Sequence, residues 1–149
     1  QGILKKTKRK NLIEYSLNLK SKHLHDYLVI AEKERLHEKI NLEPILKILF
    51  EKLSNYFTQN TFIVFGSTVE KLQKSSDIDL LIIGNKNISK ILKEFEDTYN
   101  KKIHKIQTTN LNKLTLALLK EVYKKHLIFN NTEKIIRSLE SLHEKNKLV

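Results

Sequence analysis

Only three glycines (Gly2, Gly66 and Gly84) and one proline (Pro44) occur among the 149 residues of this chain. These two residue types break helices and turn chains most readily, so their scarcity predicts long helices joined by short turns. Each of the four positions then carries meaning. Pro44 suits the first turn of a helix, where a missing N–H costs nothing. Gly66 closes the apolar run Thr61–Phe65, and Gly84 closes the run Asp77–Ile83. Both runs are short and rich in β-branched or aromatic residues, which predicts buried strands.

Helical spacing surrounds these strands. Residues 1–18 read as a β-hairpin around the basic turn Lys5–Asn11. A lone hairpin is marginal in water, so this one is expected to lean on another element. Asn18 or Ser21 is placed to cap a helix running to about Ile40, with Leu24, Tyr27, Leu28, Ala31 and Leu36 inward. Glu32, Lys33, Glu34, Arg35 and Glu38 form its expected solvent face. A second helix starts near Asn41. Ile88–Tyr99, Leu111–Lys125 and Thr132–Glu144 read as further helices, Lys101–Gln107 as a weaker strand, and Leu127–Phe129 as a short strand or turn. The order implies a mixed α/β (α+β) fold, with one small mixed sheet flanked by helices behind an N-terminal hairpin and two helices. The expected division is a hairpin over 1–18, a helical segment over 19–59 and the sheet-bearing domain over 60–149.

The chain carries 28 Lys and Arg against 17 Asp and Glu, a formal charge of +11. Within residues 1–25, Lys5, Lys6, Lys8, Arg9, Lys10, Lys20 and Lys22 face Glu14 alone, so over half of the excess sits there. Lys8, Arg9 and Lys10 are the candidate contacts to DNA, although a cation set with only three arginines suits bidentate base readout poorly. The absence of cysteine excludes disulfides, thiol nucleophiles and thiolate metal sites. No apolar run reaches the roughly 18 residues of a membrane span, and the expected location is cytoplasmic.

Only four aspartates occur, and two of them, Asp77 and Asp79, open the second strand. Residues two apart on a strand share a face, which sets two carboxylates side by side. Adjacent like charges are costly unless a cation neutralises them. Hard oxygen donors of this kind suit Mg²⁺ or Mn²⁺, which complete their shells with phosphate and water. Gly66, lacking a Cβ, lets the backbone approach a ligand, and Ser67 with the N–H groups after it could hold phosphate oxygens. The six histidines show no zinc-binding spacing.

The stretch Phe65-Gly66-Ser67…Ser76-Asp77-Ile78-Asp79-Leu80-Leu81-Ile82 resembles the signature of the DNA polymerase β-like nucleotidyltransferase superfamily, in its minimal nucleotidyltransferase branch. The resemblance implies Asp77 and Asp79 as metal ligands and catalytic residues, Gly66 and Ser67 as nucleotide-phosphate contacts, and a nucleoside triphosphate with Mg²⁺ or Mn²⁺ as reactant and cofactor. It also implies transfer of a nucleoside monophosphate to an acceptor hydroxyl, which in antitoxin-like members lies on a partner protein of HEPN type. Members usually present a third carboxylate from the neighbouring strand. Here that strand is Lys101–Gln107, which has no acid and offers His104 or Gln107 instead. A non-catalytic regulator acting by DNA or protein binding is therefore the alternative reading. The first 18 residues resemble the wing hairpin that ends a winged helix-turn-helix domain, the basis for assigning DNA contacts to Lys8, Arg9 and Lys10.

Overall fold

A strand that is apolar on both faces must be covered on both faces. The computed structural model, which describes residues 2–146 and 148, is built around this requirement. β1 (Leu4–Arg9) and β2 (Leu12–Leu17) form the hairpin. α1 (Leu24–Leu42) and α2 (Pro44–Ser54) follow, and then β3 (Asn60–Phe65), which is buried throughout. A 3₁₀ turn over Gly66–Val69 leads towards β4 (Ile78–Gly84). α3 (Ser89–Tyr99), β5 (Ile103–Thr108), α4 (Leu116–Lys124), β6 (His126–Ile128) and α5 (Thr132–Asn146) complete the order.

The main sheet runs β5-β4-β3-β6, parallel between β4 and β5 and antiparallel elsewhere, so it is mixed as expected. Alternation along β3 and β4 sorts the core into two layers. Phe62, Val64, Leu80 and Ile82 pack with Leu46, Leu49 and Leu53 of α2 and with Leu92 and Phe95 of α3. Ile63, Phe65 and Leu81 pack with Leu119 and Val122 of α4 and with α5 through Ile135, Ile136, Leu139 and Leu142. Each fully buried Leu, Ile or Phe contributes roughly 1.5–3 kcal/mol relative to exposure.

Several local expectations are corrected. Neither Asn18 nor Ser21 caps α1, which begins after His23 without a side-chain cap. Asn18 instead ties the two ends of the hairpin, its Nδ2 donating to the Gly2 carbonyl at 3.0 Å. The segment from Leu111 is a 3₁₀ turn, and α4 starts only after Thr115, whose hydroxyl accepts from the Leu118 N–H at 3.3 Å. The hairpin leans on the body less than expected: every residue of β1 and β2 is exposed, although Leu17 borders a cavity lined by α1 and α5. Its order comes from the cross-strand ladder, closed by Lys10 at φ +52° in the tight turn.

α1 is also rotated from the expected register. Tyr27 and Ala31 face solvent, Val29 is buried, and Glu32 turns inward. The cause is a polar anchor on β6. The Glu32 carboxylate meets His126 Nε2 at 3.0 Å and Arg35 at 2.7 Å, while Arg35 also donates to the His126 carbonyl. Burial pushes the Glu32 carboxyl up, but the hydrogen bond and charge of His126 and the charge of Arg35 outweigh it, leaving the pKa below the ordinary 4.5. A depressed carboxylate pKa stabilises the fold above the unfolded value, and that stability is lost as pH falls through the folded value. Thermal melts should therefore show the native protein losing its advantage over Glu32→Gln as pH drops below about 4.5. A gap between the two that stays constant down to pH 3 would contradict this account.

Candidate functional site

One register row crosses the end of the sheet. His104 on β5 stands opposite Asp79 on β4, Asp79 opposite Phe65 on β3, and Phe65 opposite His126 on β6. Directly paired residues share a face, so the row sets Asp79 beside the turn that follows Phe65. Gly66 opens that turn at φ +76°, in the left-handed region that favours glycine. A Cβ placed there would come within 2.8 Å of Asp79 Oδ2. The absent side chain is therefore what leaves the Asp79 carboxylate open on that side.

Asp79 is half-buried, with 30% of its side chain exposed, whereas Asp77 is exposed and lies just before the first paired residue of β4. Asp77 is thus not a strand residue, and its position is set by two main-chain ties instead. Its carbonyl accepts from Thr68 Oγ1 at 2.9 Å, and the next N–H, of Ile78, donates to the Lys102 carbonyl at 2.9 Å. The buried Thr68 hydroxyl links the glycine-serine turn directly to the aspartate segment. Ser67 is exposed on the turn, and its carbonyl accepts from the N–H groups of Glu70 and Lys71 at 3.1 and 3.3 Å. This is a single 3₁₀ turn, too short for a helix macrodipole to act on phosphate.

The loop between the two halves of the motif is held from beneath by Lys101. This lysine is only 7% exposed, and its ammonium donates to the carbonyls of Gln73 and Lys74. Ser76 adds a local clasp, donating to the Gln73 carbonyl at 2.9 Å and accepting from its N–H at 3.0 Å. Nothing in the sequence marks Lys101 apart from the other lysines; only the packing of β5 beside β4 selects it.

Among the described residues, neither Asp77 nor Asp79 is paired with a lysine or arginine, although the chain carries a formal charge of +11. Among those residues Asp79 Oδ1 meets only His104 Nδ1, at 3.3 Å. The other candidate of that strand, Gln107, is engaged elsewhere, its Nε2 donating to the carbonyls of Gly84 and Lys86 at 2.9 and 3.1 Å. Two carboxylates without a cationic partner are a fitting donor set for a hard divalent ion. Among the described residues no three His, Asp or Glu side chains surround a cation position. An ion here would draw the rest of its shell from phosphate and water, the usual arrangement for Mg²⁺ at phosphoryl-transfer sites.

The remaining candidates stand apart from this row. Lys8, Arg9 and Lys10 lie at the tip of the hairpin, all exposed, with Arg9 Nε 3.6 Å from Glu14. No helix among the described residues is long and apolar enough to cross a membrane.

A small mixed sheet that sets a glycine-serine turn against an aspartate on the next strand defines a nucleotidyltransferase-type domain. A family profile described as polymerase beta, nucleotidyltransferase, matches residues 49–134. The chain belongs to that family. No curated protein matches it in sequence. Among solved structures, it is similar to a toxin–antitoxin complex with AMP-PNP (13% identity, 69% of this chain and 92% of that one, TM-score 0.44). It is also similar to a tri-AMPylated Shewanella oneidensis HEPN toxin in complex with MNT antitoxin (12% identity, 78% and 92% covered, TM-score 0.38). The MntA–HepT toxin–antitoxin structure gives 13% identity, with 69% and 90% covered and a TM-score of 0.39.

Proposed function

We propose that this domain binds a nucleoside triphosphate with Mg²⁺ or Mn²⁺ and transfers the nucleoside monophosphate to an acceptor hydroxyl, on a partner protein of HEPN type. The observation that carries this reading is the Asp79 carboxylate, which has no lysine or arginine partner among the described residues and lies against a glycine turn where a Cβ would collide with it. Asp77 and Asp79 are the residues that would hold the metal, which when bound neutralises triphosphate charge and sharpens the α-phosphorus as an electrophile. Gly66 and Ser67 admit and contact the triphosphate. Thr68 and Lys101 keep the turn and the aspartate segment in fixed relation. In the reaction the acceptor oxygen bonds to the α-phosphorus, the bond to pyrophosphate breaks, and the hydroxyl proton is released to water.

The lack of an acid on β5 favours a second reading, a regulator that kept the fold and acts by protein or DNA contacts. One experiment separates the two. The protein is incubated with labelled ATP, GTP, CTP or UTP, Mg²⁺ or Mn²⁺ and a purified HEPN-type protein, beside an Asp77→Ala/Asp79→Ala variant. Label transfer that disappears in the variant is the expected result. Transfer that survives the double substitution would overturn the site assignment, and neither transfer nor metal-dependent nucleotide binding would favour the regulator.

A further inference from the structure

We propose that the apolar and basic face of the hairpin docks on the outer stripe of α1 in a second copy of this chain, giving a two-fold dimer. The register of β1 and β2 pairs Leu4 with Leu17, Lys6 with Tyr15 and Lys8 with Ile13. Directly paired residues, and residues two apart on a strand, share a face, so these six side chains form one surface. The other face carries the pairs Lys5–Ser16, Thr7–Glu14 and Arg9–Leu12 and is polar except for Leu12. Leu4, Ile13, Tyr15 and Leu17 are each about half exposed. An isolated two-stranded hairpin is marginal in water, and this is the apolar surface that a partner would cover.

The matching surface lies on α1. Tyr27, Ile30, Ala31, Glu34 and Glu38 recur at helical spacing on the side away from the buried Val29 and Leu36, and all five are exposed. Among the described residues, Glu34 and Glu38 form no ion pair, and neither do Lys6 and Lys8. Like charges one helical turn apart cost the lone helix a little, and opposite charges from a partner remove that cost. The spacings also agree. Ile30, Glu34 and Glu38 repeat about every 6 Å along the helix axis. Leu4, Lys6 and Lys8 repeat about every 6.8 Å along the strand. Both rows run apolar, charged, charged, with opposite signs. Leu4 seated on Ile30 therefore sets Lys6 against Glu34 and Lys8 against Glu38.

Within one chain the two surfaces do not meet. The root of the hairpin face, at Leu17, borders the cavity on the Leu24 and Leu28 side of α1, away from the outer stripe. Tight turns hold it there, the Ser21 N–H donating to the Asn18 carbonyl at 2.9 Å and the Leu24 N–H to the Ser21 carbonyl at 3.2 Å. A two-fold pair makes the contact twice, which doubles the buried area.

Sedimentation equilibrium of the full chain tests the proposal. The native protein should dimerise in the micromolar range, and more weakly as salt is raised. Lys6→Glu/Lys8→Glu and Glu34→Lys/Glu38→Lys should each weaken self-association by about tenfold or more, because each sets like charges face to face. An equimolar mixture of these two variants should form a heterodimer, since every contact then pairs opposite charges. All four positions are exposed, and circular dichroism confirms that each variant is folded before mixing. A native chain that stays monomeric at about 0.1 mM would overturn the proposal. So would a dimer that neither charge reversal weakens, or folded variants that fail to pair when mixed.

Discussion

Replacing Gly84 with alanine should destabilise the protein by roughly 3 kcal/mol or more, one of the larger effects a single methyl can have here. Gly84 closes β4 at φ +143°, a conformation that L side chains rarely adopt. A Cβ would lie 2.1 Å from Asn60 Oδ1 and 2.7 Å from the Gln59 carbonyl. The asparagine cannot simply swing aside. Its Nδ2 donates to the Lys86 carbonyl at 2.9 Å, and its Oδ1 accepts from the Lys86 N–H at 3.2 Å. Asn60 is also the main-chain partner of Gly84 in the β3–β4 ladder. Relief of the clash would therefore open the end of the central strand pair or break the side-chain clasp. In thermal or urea unfolding the loss should appear as a Tm lower by about 10 °C. Lys86→Ala, which removes an exposed side chain and keeps the same main-chain bonds, should change stability by less than about 0.5 kcal/mol. A Gly84→Ala variant that melts within a few degrees of the native protein would show that this corner of the sheet yields more easily than its hydrogen bonds imply.

The sheet was legible in the sequence because local pattern and global demand agree there. The runs at 61–65 and 78–83 are largely apolar and each is followed by a glycine, and both lie in central strands with covered faces. The same holds for Pro44, which stands at the start of α2. What local pattern missed are features created by distant neighbours. The charged stripe of α1 read as solvated because nothing near Glu32 and Arg35 in sequence reveals His126, more than ninety residues away. Lys101 looked like one of many lysines until β5 packed beside β4 and buried it under the motif loop. His104 was visible as a polar residue on the right strand, but only the parallel register sets it opposite Asp79 rather than one residue to either side. A slip of one residue would have turned it to the opposite face.

Within the motif, the two aspartates differ in what holds them, and that difference leads to the second large effect. Asp77 is exposed and located through its main chain, whereas Asp79 sits in the strand between Gly66 and His104. Asp79→Asn keeps the shape and the β4 ladder, and removes only the negative charge. No buried ion pair is broken, because the sole charged-type partner of Asp79 among the described residues is the exposed His104. The fold should therefore be retained, with a Tm within about 2 °C of the native protein. Nucleotidyl transfer should nonetheless fall by about a thousandfold or more, equivalent to roughly 4 kcal/mol of transition-state stabilisation. Binding of a divalent ion in the presence of triphosphate should weaken in parallel, because an amide oxygen is a poorer ligand than a carboxylate for a hard cation. Single-turnover transfer at saturating nucleotide, read beside a thermal melt of the same preparation, separates lost chemistry from lost structure. If Asp79→Asn retained transfer to within tenfold, the reacting phosphate would have to be held elsewhere on the molecule, and the carboxylate beside Gly66 would be a structural residue at the sheet end.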